Sequence, residues 1–114
     1  MQDMTTGQVE TRDQFWRPRL EMNARQAIYH QWDQLEGTGC IENFRLLVEG
    51  KEGLREGWVF ADSDAYKWID AACRIYARAP SEELERRIEK LTGLIAAAQT
   101  GDGYLFSYNQ LHFP

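Results

Sequence analysis

Residues 62–98 read DSDAYKWIDAACRIYARAPSEELERRIEKLTGLIAAA, and the fold turns on how the single proline among them divides the run. Before Pro80, apolar or small residues recur at Ala65, Trp68, Ile69, Ala72, Ile75 and Tyr76. This three-and-four spacing gathers one face of an α-helix, so a helix is predicted from Asp62 or Ser63 to about Arg78. After Pro80, Leu84, Ile88, Leu91, Leu94, Ile95 and Ala98 repeat the pattern. Ser81 is placed as an N-cap there, with Glu82 and Glu83 in a first turn whose dipole favours acids. Proline removes a backbone donor and clashes with the preceding turn, so it separates two helices instead of joining one. Gly101 and Gly103, in GDGYL, then end the second. Helices joined by so few residues pack antiparallel. The triplet Asp62-Ser63-Asp64 and the turn Gly101-Asp102-Gly103-Tyr104 are therefore expected at the same end of the pair.

Upstream, a further helix is predicted from Pro18 to Glu36. Pro18 suits a first turn, Leu20, Ala24, Ala27, Ile28, Gln31 and Leu35 fall near one face, and Gly37 and Gly39 stop it. Residues 40–60 are interrupted by Gly50, Gly53 and Gly57 and read as a long connection, softened at most by a short helical turn from Asn43 to Glu49. Gly93, followed by Ala96 to Ala98, suggests close approach by a neighbouring helix. Glu82/Arg86 and Glu83/Arg87 stand at i,i+4 and mark a solvated face worth tenths of a kcal/mol. The fold class is all-α, built from antiparallel helices.

The 114 residues leave room for one core. A hydrophobic fraction of 43% with four tryptophans excludes a disordered chain. A net charge of −5, with 13 basic residues interleaved among 18 acids, argues against a nucleic-acid partner, which needs a clustered positive field. No apolar run approaches the roughly 20 residues of a membrane span, and MQDMTTGQVE at the start has no basic segment leading into an apolar one. No membrane partner is expected, and the default location is cytoplasmic. Cys40 and Cys73 are too few and too far apart for a zinc motif, and His30 and His112 are isolated.

Two readings of the acidic rim are open. Asp62 and Asp64 serve as caps and charge partners for a helix N-terminus, or they form a sugar-binding corner in which carboxylates accept hydroxyl hydrogen bonds and Tyr66, Trp68 or Tyr104 cover C–H surfaces. A glycosidase pair of Asp62 with Asp64 is disfavoured. Residues at i,i+2 point in different directions on a helix, whereas the two carboxyl groups must face one bond from about 5–10 Å apart. Motifs for a Ser/His/Asp hydrolase, an NTPase or a dinucleotide-binding enzyme are lacking.

The ordered pieces are FWRPRLEMN at 15–23, HQWDQL at 30–35, Gly39-x-x-Glu42-Asn43-Phe44, WVFADSDAYKWIDAA at 58–72 and LIAAAQ-x-x-DGYL at 94–105. Together they resemble the N-terminal part of glycoside hydrolase family 127, the β-L-arabinofuranosidase family. The likeness covers residues 15 to about 108. It implies that these helices are the N-terminal portion of an (α/α)6 barrel, in which loops before the inner helices line the sugar pocket. On that basis Asn43, Asp62, Asp64, Asp102 and Tyr104 are expected to be substrate-binding. The family's cysteine nucleophile on zinc and its glutamate acid/base lie downstream, so no catalytic or metal-binding residue is assigned here. Zinc is expected of the full-length family, with its ligands absent from this chain. Phe106-Ser107 departs from the Asn-Thr that commonly follows DGYL in the family.

Residues 1–14 are accordingly expected to be a flexible N-terminal segment, and 15–114 a partial catalytic domain ending before a His-Glu-x-x-Tyr-like helix. Such a piece is expected to lack glycosidase activity alone. Its partners would be carbohydrate, through the full-length enzyme, and either the remainder of the barrel or further copies of itself. The alternative is a free-standing helical interaction module derived from the same scaffold.

Overall fold

The computed structural model describes residues 2–50 and 53–113, and every regular element among them is helical. A 3-10 turn at Thr6–Gln8 lies against the later helix that ends at Arg78. Six α-helices follow: α1 Trp16–Met22, α2 Ile28–Gly37, α3 Cys40–Glu49, α4 Asp62–Arg78, α5 Glu82–Ala98 and α6 Ser107–His112.

The predicted first helix exists but is not uniform. It starts two residues earlier than Pro18, where Asp13 Oδ1 accepts the backbone N–H of Phe15, Trp16 and Arg17. A π-helical turn at Asn23–Ala27 then links α1 to α2. A π turn accommodates an extra residue, so the face rotates across it. Within α2 the core positions are Ile28, Trp32 and Leu35, at i, i+4 and i+7, while Gln31 stays exposed.

The largest departure is α3. Its ten residues replace the first half of the predicted connection, with Cys40, Ile41, Asn43, Phe44 and Leu46 buried. Two glycines delimit it: Gly39 (φ +81°), expected only to stop the preceding helix, and Gly50 (φ +60°), expected to interrupt a loop, flank it in the left-handed region, where a side chain is strained. At Gly39 a Cβ would also sit 2.8 Å from that of Glu56. Across the α2–α3 joint, Arg45 grips Glu36 at 2.6 and 2.8 Å and Glu42 at 3.1 Å.

α4 and α5 match the predicted hairpin. Ala65, Trp68 and Ala72 bury one face of α4; Leu84, Leu91 and Ala98 bury one face of α5. Ser81 caps α5 by accepting the N–H of Leu84 at 3.2 Å. The core closes around Trp68, which meets Trp32 edge-on at a centroid distance of 4.9 Å and donates its indole N–H to the Ile28 carbonyl at 2.9 Å. Two expectations are corrected. A Cβ at Gly93 would meet nothing within 4 Å, so no neighbouring helix approaches there. Glu83 pairs with both Arg86 and Arg87, whereas the predicted pair drew Arg86 to Glu82. Glu83 lies one turn before both arginines and serves the two at once.

Candidate functional site

The start of α4 and the turn after α5 occupy one pole, and the connection between them is direct. Asp62 is 4% exposed. One carboxylate oxygen accepts the backbone N–H of Ser107 at 2.7 Å, and the other accepts the Ser107 hydroxyl. A buried guanidinium completes the cluster: the Arg55 side chain is 1% exposed, its Nε donates to Ser107 Oγ at 3.1 Å, and an Nη lies 3.8 Å from Asp62. A buried carboxylate persists only when paired and hydrogen-bonded, and here three groups satisfy one another.

Asp62 is thus a strut that fastens the segment after the glycine turn to the N-terminus of α4. Asp64, two residues on, points outward with its side chain 58% exposed and 4.0 Å from Lys67, the divergence expected of an i,i+2 pair. Asp102 is exposed and organises its own turn, accepting the Thr100 hydroxyl and the Tyr104 N–H. These donors hold its carboxyl below the usual range. Tyr104 is 46% exposed, with its hydroxyl accepting from Asn109 Nδ2 at 2.8 Å. Asn43 lies beneath the surface at 1% exposure and pairs with the backbone of Glu56 in both directions, at 2.8 and 3.0 Å.

The five sequence-derived positions therefore separate. Asp62 and Asn43 are buried and bound to this chain's own groups; Asp64, Asp102 and Tyr104 face outward. Tyr104 lines a hollow of about 640 Å³ with Leu47, Ala98, Asn109 and Phe113. Asp64 lines another of about 480 Å³ with Gln34, Lys67 and Trp68. Among the described residues no hydrogen bond joins Asp64 to Asp102 or Tyr104. A further hollow, about 760 Å³, lies at the opposite pole beside the N-terminal segment and Arg78.

Sequence reasoning missed Arg55 and Ser107. Neither carried a local signal: Arg55 sits in a glycine-rich stretch and Ser107 follows a turn. The one hint was the departure at 106–107, and Ser107 keeps the hydroxyl that the resembled family's threonine would supply.

Nearby thiol and phenol groups are held neutral. Burial, with a smaller push from Asp64 and Asp62, raises the Cys40 pKa to about 11, and the thiol donates to the Ala61 carbonyl at 3.1 Å. Burial and the Asp62 charge raise Tyr66 to about 12. A protonated thiol is a poor metal ligand and a poor nucleophile. No cluster of three His, Cys, Asp or Glu among the described residues is arranged to hold a metal ion.

Among the described residues every regular element is helical, and the antiparallel hairpin of α4 and α5 is the kind of unit from which an (α/α) barrel is built. The family model for the β-L-arabinofuranosidase GH127 catalytic domain matches residues 8–114. The chain belongs to this family and corresponds to its N-terminal region. It is similar to the crystal structure of a GH127 β-L-arabinofuranosidase from Geobacillus stearothermophilus T6, with 32% identity and a TM-score of 0.88 over 93% of this chain and 18% of that one. A second GH127 β-arabinofuranosidase structure gives 30% identity and a TM-score of 0.84, covering 94% of this chain and 17% of that one. A non-reducing end β-L-arabinofuranosidase of Bifidobacterium longum subsp. longum is 29% identical over an alignment of 110 residues that covers 80% of this chain and 17% of the relative. The chain spans under a fifth of the length of each.

Proposed function

We propose that this segment supplies the first helices and part of the sugar-facing rim of a β-L-arabinofuranosidase that hydrolyses terminal arabinofuranosyl linkages, and that the 114 residues alone do not turn over. The observation that carries this reading is the Asp62–Ser107 clasp, which sets the α4 N-terminus and the 101–104 turn side by side at one pole. In this reading the exposed Asp64, Asp102 and Tyr104 offer hydroxyl-binding groups, while Asn43 and Asp62 fix the rim from beneath.

The chemistry that the resemblance implies needs a nucleophile and a general acid/base facing one bond. Here Asp62 is consumed internally and Cys40 is held as a thiol. Metal-replete chain assayed on an aryl β-L-arabinofuranoside is expected to match the buffer control. Addition of the complementary remainder of a GH127 catalytic domain is expected to restore turnover. Turnover by the chain alone, or none from the reconstituted pair when an intact GH127 enzyme is active, would refute the reading.

Exposed apolar side chains support the remainder of the barrel, or a second copy, as a partner: Leu54 is 91% exposed and Phe113 72%. The same feature favours the alternative interaction module, which predicts partner binding without restored turnover. The two thiols, one buried and one exposed, form no disulfide and support a cytoplasmic, reducing location. Among the described residues no helix is long and apolar enough to cross a membrane.

A further inference from the structure

We propose that the hollow at the pole away from the rim binds a small free oxyanion, a phosphate or carboxylate group held by Arg25 and Arg78. The hollow has a volume of about 760 Å³ and is walled by three separate parts of the chain: the N-terminal segment, the α1–α2 junction and the joint between α4 and α5. Small-molecule sites fall in this size range and between packed helices. The inference uses no residue of the rim and stands apart from the carbohydrate reading.

Charge selects the occupant. Two carboxylates line the hollow, and both are already taken: Glu10 by Arg12 at 2.9 Å and Glu21 by Arg17 at 3.3 Å. Arg25 and Arg78 line it too, and neither makes a hydrogen bond, ion pair or ring contact among the described residues. Two guanidiniums are thus left over at one place in a chain whose net charge is −5, a local reversal of sign. Each presents a planar fork of N–H donors that matches two oxygens of a carboxylate or phosphate. Neutral donors stand beside them, since the hydroxyls of Tyr29 and Ser81 line the same hollow and approach each other at 3.5 Å. Whichever gives its proton to the other, one hydroxyl proton of the pair is left for a ligand.

The walls hold these groups in place. Arg25 sits in the π-helical turn Asn23–Ala27, a kind of turn that concentrates at functional sites and that the rim does not use. Arg78 closes the last turn of α4, three residues before the Ser81 cap of α5. The N-terminal wall is seated tightly on α4, where a Cβ at Gly7 would lie 3.1 Å from the Ala77 carbonyl oxygen. Its 3-10 turn is closed by the Thr5 N–H on Gln8 Oε1 at 2.8 Å.

The test is an NMR titration of the 114-residue chain with inorganic phosphate and, separately, acetate, each against sodium chloride at matched ionic strength. The Nε–H signals of Arg25 and Arg78 and the Ser81 amide are followed. Arg74, exposed and paired with Asp70, is the reference guanidinium. The site predicts saturable shifts of Arg25, Arg78 and Ser81 with phosphate or acetate, none of them produced by chloride and none at Arg74. Arg25→Gln and Arg78→Gln, read at the Ser81 amide, are each expected to weaken binding about 3- to 10-fold, the scale of one partly exposed charge-assisted contact, with an unchanged melting temperature. Should Arg78 serve only the α4 dipole, Arg78→Gln would lower the melting temperature and leave phosphate and acetate binding as they were, which overturns the proposal. Shifts that chloride reproduces, or that Arg74 shares, show only a screened surface charge and overturn it as well. A final arm adds the remainder of a GH127 catalytic domain. Binding that persists supports a free ligand, and a hollow that no longer responds to phosphate or acetate makes its occupant an acidic side chain of that remainder and overturns the assignment.

Discussion

Asp62 shows how one residue can satisfy two readings of a sequence. Its position at a helix start was legible from the pattern, and both capping and pocket-lining were open for it. The structure puts its carboxylate against a serine 45 positions away and beside a buried arginine, and no local signal encodes a pairing of that separation. Asp62→Ala leaves the Arg55 guanidinium buried beside no anion, and is expected to cost about 3–5 kcal/mol in chemical denaturation. Ser107→Ala removes one donor and is expected to cost about 1–3 kcal/mol. Cys40 gives a pH prediction at the same scale. Its folded pKa, about 11, stands above its ordinary value of 9.0, so the folded state holds the proton longer. The stability this gives is complete below pH 9 and is lost as pH rises toward 11. Tyr66, raised from 10.0 to about 12, extends the loss upward. Cys40→Ala is expected to flatten the fall between pH 9 and 11 in denaturation midpoints; an equally steep fall would remove Cys40 as its source.

At the scale of elements, the hairpin of α4 and α5 was readable because period, proline and cap agreed at every position. Of the helix α3 only a short turn from Asn43 to Glu49 was legible, because its bounding glycines look the same in a sequence whether they interrupt a loop or terminate a helix. The π turn was invisible for a related reason: an added residue changes the phase of a helical pattern without breaking it. Backbone geometry separates the glycines by experiment. Gly39→Ala, at φ +81° with Glu56 in the way, is expected to destabilise the fold by about 1–2 kcal/mol. Gly93→Ala, at a helical position with open space around it, is expected to stabilise it by about 0.5–1 kcal/mol. Thermal denaturation of the pair checks both signs.

For the whole molecule, the all-α class, the antiparallel hairpin and the family were all carried by the sequence, while the internal wiring of the rim was not. Local periodicity fixes where helices lie; it does not say which polar groups are spent holding them together. Asn43 and Asp62 are occupied by the chain itself, leaving Asp64, Asp102 and Tyr104 as the outward groups. The exposed apolar side chains give one prediction here: light scattering of the isolated chain is expected to show association that the remainder of the domain suppresses. A monodisperse monomer that binds no hydrophobic dye would count against it. The rim itself depends on the bond between Asp62 and the segment after the glycine turn, and the Ser107 backbone amide reports it directly. Hydrogen exchange followed by NMR should find that amide strongly protected in the native chain and released in Asp62→Ala. A Ser107 amide exchanging as fast as those of Gly101 and Gly103 would show that the two ends are not joined and would contradict the account.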